Sequence, residues 1–298
     1  MPSRRSDDAH STPLVLGPRV FDVDEFAVMA IINRTPDSFY EPGSTFELSA
    51  ALDHLDAVVA QGADIVDVGG VRAGYGEPVN TAEEVDRTAE FVALTRERYP
   101  DLVVSVDTWR SEVADRLCAL GAHLINDTWA GYDPELAAVA AEHDAGLVCS
   151  HTGGLPPRTD PHRVYYDDVV ADVLATTTRL ARLAESAGVR GESILIDPTH
   201  DFGKNTRHSL ELTRRLHELT ATGWPVLVAL SRKDFIGETL DAEPNERLEG
   251  TLAATAISAW HGARVFRAHD VAHTRSTLDM VASIAGSREP AVNLRGLA

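Results

Sequence analysis

Polar side chains that could bind a ligand or react follow seven of eight short apolar runs in the sequence. They are carboxylates, amides, hydroxyls and basic groups, and each set begins with one of Asn33, Asp107, Asn126, His151, Asp197, Ser231 and Arg267. One such residue alone is usually a turn former or a helix cap. Seven of them, each in the same position relative to an apolar run, indicate one shared functional pocket.

Three of these side chains suit a flat heterocycle that is rich in hydrogen-bond donors. Asp107, Asn126 and Asp197 offer carboxylate and amide oxygens. Each ring N–H or amino group of a buried ligand needs an acceptor of this kind.

A second set of side chains could bind an anion beside that ring. Lys233, Arg267 and His269 follow the last two apolar runs and carry, or can gain, a positive charge. Asn33 offers a neutral oxygen that could contact Mg²⁺ on a phosphate. A metal held by protein side chains alone is not expected, because the histidines lack close ligand spacing. The sequence therefore predicts a ligand with a heteroaromatic head and a phosphorylated tail.

The apolar runs that must position these residues are short and lack alternation, as in parallel strands covered on both faces. The gaps between them are long enough for crossover helices, and the runs span residues 27–32, 65–68, 103–106, 124–125, 147–149, 194–196, 226–230 and 265–266. Strand and helix alternating eight times predicts a (β/α)₈ TIM barrel of the α/β class, in which active sites lie at the carboxyl ends of the strands. A doubly wound sheet is the alternative, weakened because no Gly-x-Gly-x-x-Gly follows the first run.

The predicted helices have recognisable ends. Thr81 and Glu84 form a Thr-x-x-Glu capping box at the start of one helix. Several helices are expected to end in a glycine that takes the left-handed conformation before the next strand, namely Gly62, Gly121 and Gly262.

Length and charge limit the function classes. The 298 residues are expected to form a flexible arm (1–16), one barrel domain (17–286) and a tail (287–298). Because 27 basic residues face 46 acidic ones, the net charge of −19 disfavours nucleic acid and anionic membranes as partners. Two cysteines exclude a disulfide framework and a four-cysteine zinc site. Without an apolar run of spanning length, a cytoplasmic protein is expected.

From Val28 to Val271 the chain resembles the dihydropteroate synthase family of pterin-binding barrels. The resemblance rests on motifs in a fixed order, including Asn33-x-Thr35-Pro36-Asp37-Ser38-Phe39, Ser105-Val106-Asp107-Thr108, Ile125-Asn126-Asp127, Asp197-Pro198, Phe202-Gly203-Lys204, Ser231-Arg232-Lys233 and Arg267-Ala268-His269-Asp270. It implies condensation of 4-aminobenzoate with a hydroxymethyl-dihydropterin pyrophosphate, with Mg²⁺ assisting release of pyrophosphate. It also implies a homodimer and binding of sulfa-type analogues.

The resemblance implies a role for each matching residue. The pterin would contact Asp107, Asn126, Asp197, Phe202 and Lys233. The pyrophosphate would bind near Asn33, Arg267 and His269, with Mg²⁺ at Asn33, and aminobenzoate near Phe39 and Ser231. The catalytic residues would be Asp37, Lys233 and Arg267.

The chain departs from the family pattern in its loops. After the second strand, Val71-Arg72-Ala73-Gly74-Tyr75 replaces Glu-Ser-Thr-Arg-Pro. Arg34 replaces a small apolar residue, Ser150-His151-Thr152 replaces Met-His-Met, and Thr199 and Asp201 replace two glycines. If those glycines require a positive φ, Thr199 adopts a strained conformation. Neutral drift of surface loops is the alternative explanation.

These departures favour a divergent paralogue that keeps part of the pterin pocket and has weak or no synthase activity. The first alternative is an active dihydropteroate synthase of folate biosynthesis. The second is a pterin-dependent methyltransferase of the same superfamily, which is disfavoured because Thr35-Pro36-Asp37-Ser38-Phe39 and Ser231-Arg232-Lys233-x-Phe235 are retained.

Overall fold

A short hairpin and a ring of eight parallel strands organise the protein, whose computed structural model describes residues 12–36, 45–74, 76–159 and 164–296. The hairpin consists of β1 (Leu14–Leu16) and β2 (Arg19–Phe21), and the parallel strands are β3 (Ala27–Asn33), β4 (Ile65–Gly69), β5 (Val103–Asp107), β6 (Leu124–Asp127), β7 (Gly146–Cys149), β8 (Ile194–Ile196), β9 (Leu227–Ala229) and β10 (Val265–Ala268). The predicted Asp37, Phe39 and Tyr75 lie outside the described residues.

The parallel strands close into a barrel. Their order is β8-β7-β6-β5-β4-β3-β10-β9, and a bridge between Ile196 and Val226 joins the two ends. All eight predicted strands are present, which confirms the (β/α)₈ architecture. Their carboxyl ends, where the predicted site residues lie, therefore meet around one mouth.

Helices cover the outside of the barrel. They are α1 (Leu48–Ala60), α2 (Thr81–Arg98), α3 (Ser111–Ala119), α4 (Leu136–Glu142), α5 (Val169–Ala187), α6 (Thr206–Arg214), α7 (Leu216–Thr220), α8 (Asp234–Leu240), α9 (Leu248–Trp260) and α10 (Val271–Ala285). The cap of α2 differs from the prediction, because Asn80, not Thr81, accepts the N–H of Glu83 at 2.9 Å. Among the described residues, no helix is both long and apolar enough to span a membrane.

The predicted glycine turns are confirmed. Gly62, Gly121 and Gly262 have φ values of 93°, 101° and 97°, in the left-handed region. Each ends a helix and leads into the following barrel strand, so these turns set the spacing of the helices around the barrel.

The amino-terminal hairpin plugs the opposite end of the barrel from the mouth. Leu14, Leu16 and Phe21 are buried and pack with the first residues of the barrel strands. Arg264 donates to the carbonyl oxygens of Thr12 and Phe21. The prediction that a flexible arm extends to residue 16 is therefore wrong for 12–16. Leu14 and Leu16 of β1 bury apolar surface. A strand of three residues is too short for its pattern to be recognised in the sequence.

Candidate functional site

The centre of the mouth is an ion-pair network around Arg267. Its Nε lies 2.6 Å from Asp67 Oδ2, and its Nη2 lies 2.8 Å from Asp107 Oδ2. The guanidinium fork thus bridges carboxylates from two neighbouring strands, β4 and β5. The structure brings the predicted Arg267 and Asp107 together as direct partners.

Asp67 is a site residue that sequence reasoning missed. It is fully buried, and its carboxylate accepts hydrogen bonds from Ser105 Oγ at 2.6 Å and Asn126 Nδ2 at 3.0 Å. A sequence signal was present, since a carboxylate inside an apolar strand requires buried partners. Asp67 therefore anchors Arg267 and orients the amide of Asn126.

Burial changes the protonation of Asp107. It raises the pKa of this carboxyl to about 7, an effect that the cation of Arg267 opposes and the charge of Asp67 reinforces. Thr128 Oγ1 also donates to Asp107 Oδ1 at 3.1 Å. Asp107 can therefore exchange a proton near neutral pH while remaining in contact with Arg267.

Lys233 feels the charges of two carboxylates, those of Asp201 and Asp197. Its Nζ donates to the carbonyl oxygen of His200 and lies 4.8 Å from the ring centroid of Phe202. Burial lowers the pKa of Lys233, while Asp201 and then Asp197 raise it. The predicted Lys233, Asp197 and Phe202 thus form one cluster on the β8 side of the mouth.

The loop after β8 meets the condition for a strained backbone at Thr199, because φ is positive where the family pattern has glycine. Thr199 and Asp201 have φ values of 53° and 71°, where side chains other than glycine are uncommon. Thr199 Oγ1 offsets this strain by donating to Asp197 O at 3.0 Å and accepting the N–H of His151 at 3.1 Å. The threonine at this glycine position therefore connects the loop after β8 to the loop after β7 through its hydroxyl group.

Lys204 is a structural cation rather than a free ligand-binding group. Its Nζ donates to the carbonyl oxygens of His151 at 2.8 Å, Phe202 at 2.8 Å and Thr199 at 3.1 Å. Because its three donors are used in this way, Lys204 holds the loops after β7 and β8 together.

Of the three residues that the resemblance assigns to the anion, Asn33, Arg267 and His269, Arg267 is the permanent cation. Burial lowers the pKa of His269 to about 4, and the neighbouring Arg267 adds to this shift. His269 Nδ1 lies 3.0 Å from Ser231 Oγ. At neutral pH His269 is therefore neutral, and Arg267 already contacts two carboxylates.

Two other departures from the family pattern also have partners. Arg34 donates to the carbonyl oxygens of Thr45 at 3.0 Å and Arg87 at 2.9 Å. These hydrogen bonds connect the end of β3 to Thr45 and to α2. Ser150 Oγ accepts the N–H of Ala130 at 3.0 Å and donates to Asp127 O. These contacts argue against neutral drift as the explanation of both substitutions.

Arg158 links two loops that follow non-adjacent strands. Its Nε donates to Gly74 O at 3.1 Å and its Nη1 to Glu77 O at 2.7 Å. Arg158 follows β7, whereas Gly74 and Glu77 follow β4. The link therefore spans the part of the rim above β5 and β6.

An apolar cluster lies on the same side of the rim. It consists of Val71, Trp109 and Trp129, all buried, with Val79 and Phe202 packed against them. The rings of Trp129 and Phe202 meet edge to face with centroids 5.6 Å apart. This cluster supports the loops after β4, β5, β6 and β8 beside the polar centre.

Comparison with known proteins identifies the family of this barrel. The sequence profile described as "Pterin binding enzyme" matches residues 29–269. The chain is 56% identical over 279 residues to "Inactive dihydropteroate synthase 2" of Mycobacterium tuberculosis (strain ATCC 25618 / H37Rv), covering 92% of this chain and 88% of that protein.

The chain is also similar to proteins named dihydropteroate synthase, without the word inactive. "Dihydropteroate synthase" of Escherichia coli (strain K12) is 37% identical over 270 residues, covering 90% of this chain and 95% of that protein. The crystal structure of the Yersinia pestis dihydropteroate synthase in a sulfonamide drug complex superposes with a TM-score of 0.87 at 32% identity, covering 93% of this chain and all of that one. The chain belongs to the pterin-binding enzyme family, as a divergent relative of dihydropteroate synthase.

Proposed function

We propose that the mouth binds the ring of a pterin but supports little or no condensation with 4-aminobenzoate. The observation that carries this proposal is a contrast within the site. The acceptors that would bind the ring are held in position by hydrogen bonds. The loops that the resemblance assigns to catalysis differ from the family pattern and are held by contacts particular to this chain.

The ring pocket is supported by acceptors from three separate strand ends. Asp107, Asn126 and Asp197 are each largely buried, and a buried donor-rich ring would satisfy their free oxygen positions. Asn126 is oriented by Asp67, and Asp197 is oriented by the N–H of Thr199 at 2.7 Å. Groups fixed in this way do not need to reorganise when a ring binds.

Weak condensation is supported by the loop after β4. The resemblance places a Thr-Arg-Pro element there, where this chain has Ala73-Gly74-Tyr75. Arg158 ties that loop to the loop after β7. Groups that position two reactants and exclude water contribute several kcal/mol to a rate, so their replacement lowers turnover.

We also propose that Mg²⁺ enters the mouth only on a pyrophosphate. Among the described residues, no group of three or more His, Cys, Asp or Glu side chains could hold a metal ion. Asn33 Oδ1 and Asp107 Oδ2 both border Gly69, at 3.7 and 3.9 Å from where a Cβ on that glycine would lie. Two oxygen donors fit Mg²⁺, which binds through few protein groups and substrate phosphates.

A homodimer through α9 and α10 is the assembly that we propose. These adjacent helices expose apolar side chains that are each about half exposed or more, namely Ile257, Trp260, Met280 and Ile284. A second copy of the chain would cover them, as the family resemblance implies. Sedimentation of Trp260→Glu should show a monomer where the wild type sediments as a dimer.

We further propose that the protein is cytoplasmic and, by resemblance, that sulfa-type analogues are among its ligands. Genetic complementation tests the function. Expression of the soluble protein in a strain lacking its synthase should not restore growth without folate end products. Growth at the rate given by the Escherichia coli enzyme would instead identify an active synthase of folate biosynthesis.

A further inference from the structure

Asp201 is a carboxylate fixed beside the cation of the ring pocket, and the inference drawn from it rests on the proposed function. Its side chain accepts hydrogen bonds from Ser209 Oγ at 3.0 Å and from the N–H of Phe235 at 3.2 Å. Phe235 lies in the first turn of α8, two residues after Lys233. The contacts therefore hold the negative charge of Asp201 next to the segment that carries Lys233.

Two carboxylates compensate the charge of Lys233. Asp201 acts on it more strongly than any other charged group, and Asp197 is second. Its Nζ also donates to the carbonyl oxygen of His200, the residue before Asp201. A glycine at position 201, as in the family pattern, would leave Asp197 as the main counter-charge and Lys233 more available to an anionic ligand.

The other cation of the pocket is compensated in the same way. Arg267 contacts the carboxylates of Asp67 and Asp107, and the nearby His269 is neutral at neutral pH. Four carboxylates thus surround Lys233 and Arg267. An anionic tail on a bound ring would enter a site whose cations are already paired, where like charges repel it.

We infer that Asp201 is a specificity-determining residue, which makes this pocket select uncharged, donor-rich bicyclic rings over rings carrying a pyrophosphate tail. Asp201 is hydrogen-bonded to Ser209 and Phe235. It therefore leaves the ring acceptors available, namely Asp107, Asn126 and Asp197. The selection therefore acts on the charge of the tail and not on the ring.

Isothermal titration calorimetry with 6-hydroxymethylpterin and with its pyrophosphate ester, both with Mg²⁺ and without 4-aminobenzoate, tests the inference. The wild-type protein should bind 6-hydroxymethylpterin about threefold more tightly than the ester, the modest effect expected where charges are partly screened. Asp201→Asn should shift the ratio of the two affinities toward the ester by at least about tenfold, because one buried negative charge is removed. The asparagine retains an acceptor for Phe235 and offers Ser209 a donor, so the loop contacts persist.

Asp168→Asn is the matched control. Asp168 likewise accepts a backbone N–H at the start of a helix, that of Val170 at 2.9 Å, but it pairs with Arg215 and is not among the principal charged groups that act on Lys233. This variant should keep the wild-type ratio of the two affinities. A wild-type protein that binds the ester as tightly as 6-hydroxymethylpterin or more tightly, or an unchanged ratio in Asp201→Asn, would overturn the inference and leave ring binding intact. Failure of both compounds to bind would overturn the proposed function itself, and the inference with it.

Discussion

The guanidinium of Arg267 lies 2.6 Å from the fully buried carboxylate of Asp67. Because Asp67 has no access to water, removal of Arg267 would leave a buried charge without its counter-ion. Arg267→Met should therefore lower the free energy of unfolding by about 3 kcal/mol, as expected when one partner of a buried pair is lost. Urea denaturation followed by circular dichroism measures this change.

The double variant separates the ion pair from general packing. Asp67→Asn together with Arg267→Met removes both charges, so it should be more stable than Arg267→Met alone. The free energies of unfolding lost in Asp67→Asn alone and in Arg267→Met alone could instead sum to the loss in the double variant. In that case the ion pair would not be the source of the destabilisation.

Ring binding should depend on pH through Asp107. Its raised pKa of about 7 means that the carboxyl is deprotonated above neutral pH and protonated below it. The protonated form loses acceptor capacity for a ring donor, so affinity for 6-hydroxymethylpterin should fall about tenfold from about pH 8 to about pH 6. Calorimetry across this range measures the affinity. In Asp107→Asn the affinity should no longer fall as the pH is lowered. A wild-type affinity that rises as the pH falls would contradict this assignment.

Thr199 should stabilise the loop after β8 despite its positive φ. Thr199→Ala keeps the strained backbone and loses the hydroxyl contacts to His151 and Asp197, so it should destabilise the protein by about 2 kcal/mol. Thr199→Gly loses the same contacts but relieves the strain, so its stability should lie within about 1 kcal/mol of the wild type. Thermal unfolding of both variants tests this order. The reverse order would show that the backbone is not strained.

The barrel could be predicted from the sequence because its signals are local. Short apolar runs, glycines after helices and polar residues after strands gave all eight strands and placed Asp107, Asn126, Asp197, Lys233 and Arg267 at one mouth. The glycines of the motif raise the question of a positive φ at Thr199 and Asp201, and the structure has one at both positions.

Contacts between distant loops could not be predicted in the same way. Asp67 received no role because its partner Arg267 is 200 positions away. The partners of Arg158 are more than 80 positions away and are backbone oxygens, which leave no trace in residue types. The hairpin formed by β1 and β2 was missed because three residues are too few to show a periodic pattern.

Arg158 should restrain the loop after β4. Arg158→Ala removes the hydrogen bonds to Gly74 and Glu77, so the amides of 72–77 should exchange with solvent about tenfold faster, since each bond contributes about 1 kcal/mol. Hydrogen–deuterium exchange with mass spectrometry detects this. Arg190→Ala, which breaks a surface pair with Asp144, is the control and should leave the loop unchanged. Equal exchange in Arg158→Ala and wild type would mean that the link does not hold the loop.

The most direct test of the central claim combines ring binding and turnover in one preparation. The purified protein should bind 6-hydroxymethylpterin. With hydroxymethyl-dihydropterin pyrophosphate, 4-aminobenzoate and Mg²⁺, it should form product at least about a hundredfold more slowly than the Escherichia coli synthase, the size of effect expected when positioning groups are lost. Turnover within the range of that enzyme would contradict the account and identify an active synthase with unusual loops.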